Sequence, residues 1–165
     1  MTTEPTRGEP HQLIGWLFVG AQAVLLVGLV ALPGGDVWPT PTWLRWAGQA
    51  MVAAGLALGA VAALRLGSSL TPTPVPRAAG SLTTGGLYRV VRHPIYSAVL
   101  VIVVGLVVGS GSVWRLAVGA ATVAFFNAKA AWEERRLSER YPDYAAYAAR
   151  TPRFVPGLSS FSRSR

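Results

Sequence analysis

The chain has no cysteine in its 165 residues, which excludes disulfides, thiolate catalysis and cysteine-ligated zinc. Its two histidines, His11 and His93, are far apart in sequence, so no metal site is expected. Charge is scarce. Only 13% of residues are Asp, Glu, Lys or Arg, against about 25% in an ordinary soluble domain. Lys129 is the single lysine, so the formal net charge of +8 is carried almost wholly by arginine. No Gly-x-Gly-x-x-Gly follows a strand-like run, which leaves a Rossmann cofactor site without support. Basic chains can bind nucleic acid, but these arginines flank apolar spans, where the positive-inside rule accounts for them. No nucleic-acid partner is expected.

What the chain has instead is apolar sequence: 52% of residues are hydrophobic and the mean hydropathy is +0.40. Four apolar segments stand out, from Leu13 to Leu32, Leu44 to Leu66, Pro94 to about Gly109, and Val113 to about Ala131. A spanning helix needs roughly 20 apolar residues. The first two qualify. The third is short and is expected to borrow residues from Ser110 to Val113. The first is longer than the apolar part of a signal peptide and is preceded by hardly any basic residues, so it reads as a retained helix. Gly109-Ser110-Gly111-Ser112 predicts a tight turn that makes the last two spans a hairpin. The fold class is therefore all-α: a polytopic membrane protein of about four transmembrane helices, followed by a short C-terminal cytoplasmic helical segment.

Arginine placement orients it. The connection from Pro33 to Thr42 holds Asp36 and no basic residue, whereas that from Gly67 to His93 holds Arg77, Arg89 and Arg92, and the tail beyond Glu133 is arginine-rich. Both termini and the second connection are thus expected in the cytoplasm, in the cell (inner) membrane. Trp38, Trp43, Trp46 and Trp114 suit the opposite interface, and Trp132 the cytoplasmic one. The Thr-Pro repeat Thr71 to Pro76 predicts a stiff polyproline stretch. The chain divides into a cytoplasmic segment 1–12, a two-helix membrane region 13–66, a core 67–157 and a disordered basic tail 158–165.

Chemistry-bearing residues concentrate around Arg92-His93-Pro94-Ile95-Tyr96, directly before the third apolar run. Pro94 fixes its own φ and keeps His93 out of the α region, so His93 is expected to cap a helix that begins at Pro94. The open N–H groups of that helix, with Arg92 and His93, make a site for an anionic group. Glu133 and Glu134 end the fourth apolar segment and return to the same side. Lys129 lies one turn before Glu133 and Asn127 two turns before Glu134. Lys129 either faces a partner inside the span or snorkels to the interface. Tyr88, Tyr96, Tyr144 and Tyr147 form either an interfacial aromatic belt or a box around a cation.

Gly85-Gly86-Leu87-Tyr88, Arg92-His93-Pro94-Ile95-Tyr96, Glu133-Glu134 with Leu137, Tyr144-x-x-Tyr147 and Arg150-Thr151-Pro152 together resemble the isoprenylcysteine carboxyl methyltransferase family. Its relatives include phospholipid N-methyltransferases and small bacterial thiol methyltransferases. The likeness runs from about Pro72 to Gly157. It implies an integral-membrane methyltransferase that uses S-adenosylmethionine and releases S-adenosylhomocysteine. Its acceptor would be a small or lipophilic carboxylate, thiol or amine, reached from membrane lipids. It further implies cofactor binding by His93, Pro94, Tyr96, Glu133 and Glu134. By their own chemistry Arg92 suits the cofactor's carboxylate, Tyr88 its sulfonium or adenine, and Lys129 or Arg150 an anionic acceptor. Lys129 departs from the arginine that many relatives place near there, keeping the charge but losing the bidentate fork. The competing readings are a sterol-reductase-like membrane oxidoreductase and a non-enzymatic membrane module.

Overall fold

The computed structural model describes residues 9–66 and 82–157, with side chains from Leu13 onward. The polyproline expectation at Thr71 to Pro76, Arg77, Gly80 and the expected disordered tail lie outside the described residues. Those described are all-helical: α1 Glu9–Ala31, α2 Thr42–Leu66, a 3-10 turn Gly86–Arg89, α3 Pro94–Val108, α4 Val113–Arg140 and α5 Tyr144–Arg150. Stretches Leu13–Ala31 and Thr42–Leu66 are long and apolar enough to cross a membrane. Their side chains remain largely uncovered by the rest of the chain, with Leu17, Val24, Val27, Leu56 and Leu64 all more than 60% exposed. Apolar faces of that extent require lipid, and the molecule is an all-α membrane protein.

The third segment departs from expectation. It does not extend through Ser110 to Val113. α3 stops at Val108 after 15 residues, about 22 Å at helical rise, which is short of a ~30 Å hydrocarbon core. The chain compensates by folding the α1–α2 connection over the α3–α4 turn. Gly35 N–H donates to Ser110 O at 2.8 Å, Val37 N–H to Gly111 O at 3.0 Å, and Trp38 Nε1 to Val108 O at 3.3 Å. The turn's backbone groups are thereby satisfied without water. Gly111, at φ +62, lies in the left-handed region, and its Cα faces the Gly35 backbone. It serves the turn the sequence predicts there.

Packing follows small residues. α2 and α3 run antiparallel with their backbones almost touching. A Cβ at Gly48 would lie 2.6 Å from Gly105 O, and one at Gly55 2.8 Å from Ala98 O. Such close approach supplies the van der Waals contact that drives helix association where lipid removes the hydrophobic incentive. α3 and α4 form the expected hairpin, with Val103 and Val107 against Gly119. α1 packs chiefly on α4. Leu29 at its C-terminal end joins Val103 and Val107 in the buried core. Arg115 donates from its guanidinium to Leu32 O, at 2.9 Å from Nε. It thereby places a cation at the carbonyl end of α1, where the helix dipole favours it.

Candidate functional site

At the opposite end of the bundle from that turn, α3 begins as expected. Pro94 occupies the first helical position and His93 the N-cap position, at φ −126 and ψ 66. The imidazole makes no capping bond. It turns toward α4, where Glu133 and Glu134 stand just beyond the apolar part of the helix. That helix continues to Arg140, so neither carboxylate faces an unfavourable helix C-terminus.

Two linked groups result. In the first, three side chains converge on Glu134. Arg153 donates from Nε to Oε1 at 3.0 Å and from an Nη to Oε2 at 2.6 Å. His93 Nε2 lies 3.1 Å from Oε1 and an Arg92 Nη 3.5 Å from it. An ionised carboxylate only accepts, so His93 carries its proton on Nε2. Burial by itself would raise the Glu134 carboxyl. Hydrogen bonds from His93 and Arg153, with the nearby charges, reverse that and bring it down to about 2. In the second group, the Tyr96 hydroxyl donates to Glu133 Oε2 at 2.9 Å. The Tyr96 ring lies parallel to His93 at 5.1 Å. His93 Nδ1 is 3.7 Å from Glu133 Oε2, so one imidazole links both carboxylates. Glu133 is the more open, its side chain 24% exposed against 12% for Glu134.

The C-terminal segment closes the site from above. Arg92 N–H donates to Pro152 O at 2.8 Å and His93 N–H to Arg153 O at 3.1 Å, while Ser97 Oγ donates to Phe154 O at 2.7 Å. Residues 152–154 thus pack against Arg92 and His93, which lead into α3, and against Ser97 in its first turn. Tyr144 and Tyr147 of α5 are buried. Tyr147 donates its hydroxyl to the Tyr88 carbonyl, which fastens α5 to the 3-10 turn, and burial pushes its phenol up to about 12. The Tyr144 hydroxyl is buried with no hydrogen-bond partner of good geometry among the described residues. Burial and then Glu134 raise its pKa, while Arg92 opposes.

Beside this lies a cleft of about 370 Å³, lined by Arg92, Glu134, Arg135, Ser138, Tyr144 and Arg153 together with Ala131, Ala145 and Ala148. Tyr88, Arg92, His93, Pro94, Tyr96, Glu133 and Glu134 thus come to one end of the bundle. Lys129 is buried, with Nζ donating to Gln22 Oε1 of α1 at 2.6 Å and standing 5.3 Å from the centre of the Tyr96 ring. Arg150 is exposed at the end of α5, outside the Glu134 cluster. Asn127 is exposed and returns its amide to Val123 O of its own helix, so it joins nothing at the site. Sequence reasoning did not single out Gln22 or Arg153. An amide inside an apolar span was the available signal for Gln22; Arg153 follows directly on Arg150-Thr151-Pro152.

This constellation of His-Pro-x-Tyr and paired glutamates sits within residues 43–144, which match the phospholipid methyltransferase family. The chain belongs to that family. That membership favours a membrane methyltransferase over the oxidoreductase and the scaffold. Two curated relatives carry other names. The nickel-cobalt-cadmium resistance protein NccN of Alcaligenes xylosoxydans xylosoxydans is 31% identical over 141 residues, 85% of this chain and 64% of that protein. The cobalt-zinc-cadmium resistance protein CzcN of Cupriavidus metallidurans is 38% identical over 82 residues, 49% of this chain and 38% of that protein. The chain therefore spans less than two thirds of the length of either relative. Among the described residues, no three His, Asp or Glu side chains group as a metal site.

Proposed function

We propose that this phospholipid-methyltransferase-family member transfers a methyl group from S-adenosylmethionine to a small or lipophilic acceptor, at the cytoplasmic face of the inner membrane. The observation that carries the reading is the pairing of a half-open carboxylate with an arginine-lined cleft. Glu133 is held by Tyr96 and His93, and the cleft beside it is bordered by Arg92, Arg135 and Arg153 around the already neutralised Glu134. S-adenosylmethionine carries an ammonium, a sulfonium and a carboxylate. Glu133 suits the cationic groups and the arginines the carboxylate. The buried Tyr144 hydroxyl adds a polar group on the cleft wall. The donor set fits the group.

When bound, S-adenosylmethionine supplies an electrophilic methyl on a positively charged sulfur. The protein's part is positioning. His93, stacked on Tyr96 and bonded to Glu134, keeps both rings fixed. The Arg153 fork ties the C-terminal segment over them. Excluding water here favours a reaction in which charge is annihilated, and no covalent enzyme intermediate is required. An acceptor that must lose a proton finds His93 and Glu133 as proton acceptors. The acceptor would enter from the lipid and the donor from the cytoplasm, a side that the arginine excess at this end of the bundle supports.

Calorimetry of purified protein with S-adenosylhomocysteine tests this. Binding is expected, and His93→Ala and Glu133→Ala should each weaken it at least tenfold. Absence of binding at millimolar ligand would exclude the reading.

A further inference from the structure

Lys129 and Glu133 lie one turn apart on α4, a spacing at which a lysine and a glutamate readily pair. They do not. Lys129 is 3% exposed, and no carboxylate lies within 4.0 Å of its Nζ among the described residues. Its close partner is the neutral Gln22 amide, 2.6 Å away on a different helix, while Glu133 takes the Tyr96 hydroxyl instead. A buried ammonium facing a neutral partner costs far more than one in an ion pair. Phe18, one turn before Gln22, packs edge-on against Phe125 at 5.8 Å and Trp132 at 5.4 Å. α1 is thus clamped where Gln22 reaches Lys129. Gln22 also lies outside residues 43–144, the segment of the family match.

We propose that Gln22 is a specificity-determining residue. It holds the Lys129 ammonium beside Tyr96, out of ion-pair contact with Glu133, so that the site takes an acceptor with an anionic head, a carboxylate or thiolate, on an apolar body. The charge separation serves both substrates. Glu133, held by Tyr96 and His93, serves the cationic donor, and Lys129 the anionic acceptor. The structure brings the cation, the amide and the Tyr96 ring together in the apolar part of the bundle, where an alkyl chain arriving from lipid is at home and a freely hydrated anion is not. This inference rests on the methyltransferase reading for its use, but its binding step stands apart from it.

The test uses full-length protein in neutral detergent, with thermal shift against decanoate, decylamine and decanol. Decanoate should stabilise the wild type, and the amine and alcohol should do so far less. Gln22→Glu, which supplies Lys129 with a permanent counter-charge, should abolish the decanoate shift while S-adenosylhomocysteine affinity stays within twofold. Gln22→Leu should weaken decanoate at least fivefold. Equal responses to the three amphiphiles, or a full decanoate response in Gln22→Glu, would overturn the proposal. If S-adenosylhomocysteine fails to bind the wild type while decanoate does bind, the donor assignment falls and the anion subsite stands.

Discussion

Glu134 is where the chain concentrates charge: Arg92, His93 and Arg153 all converge on one carboxylate that is nearly out of water. Removing one partner of such a group leaves the others buried and unpaired, which costs about 3 kcal/mol or more. Glu134→Gln should therefore lower the unfolding free energy by roughly that amount, measurable by thermal melts in detergent. The pH dependence has a definite sign. Its pKa is about 2 in the fold against an ordinary 4.5, so the stabilisation is complete above pH 4.5 and is lost as pH falls toward 2. Wild-type melting temperature should drop across that window, and the Glu134→Gln variant should lose this component. Tyr147→Phe removes the hydroxyl that serves the Tyr88 carbonyl. About 1–2 kcal/mol should be lost, with α5 becoming more open to proteolysis. His93, Tyr96 and the glutamates were legible as a set because residue types this costly rarely sit idle at a lipid boundary. Which charge meets which was not legible. Arg92 and His93 read as an anion site, and in the fold both stand beside the Glu134 carboxylate.

Among the elements, the α2–α3 contact has the least room. Gly48 and Gly105 face each other's backbone, and backbone cannot move aside as a side-chain tip can. Gly105→Val should cost about 3 kcal/mol or more, seen as a lowered melting temperature and poor yield. Gly59→Ala, whose new methyl would meet only Ala98 Cβ at 3.4 Å, should be near neutral. The pair separates close packing from helix propensity, since alanine and valine both form helix better than glycine. Helix bounds could be read closely from the sequence because Pro94, the Gly-Ser turn and Tyr141-Pro142 punctuate it. The end of α3 could not. Nothing local says that residues 33–41 will fold over the turn and satisfy its carbonyls, which is what lets a short helix end at Val108.

For the whole molecule, the two ends differ in charge. The site end gathers Arg89, Arg92, Arg135, Arg136, Arg140, Arg150 and Arg153, while the turn end has Arg45, Asp36 and Arg115, the last committed to the α1 carbonyls. Trp43, Trp46 and Trp114 stand exposed at the turn end, as an interfacial belt requires. The natural absence of cysteine makes the orientation directly measurable. Ser138→Cys should resist a membrane-impermeant maleimide in intact cells and react after lysis, whereas Val37→Cys should react in intact cells. The reverse pattern would place the site on the outer face.

The sequence by itself determined that this is a helical membrane protein, where its helices begin, and which polar residues stand at the lipid boundary. Those properties follow from hydropathy, proline geometry and the desolvation cost of each polar side chain, all local. Only the tertiary structure decided the pairings. Arg153 reaches Glu134 because the chain turns back after α5, and Gln22 reaches Lys129 because α1 packs on α4 across 107 positions of sequence. Ion and hydrogen-bond partners depend on distances of a few ångströms between distant segments, and that is information that composition and periodicity do not contain.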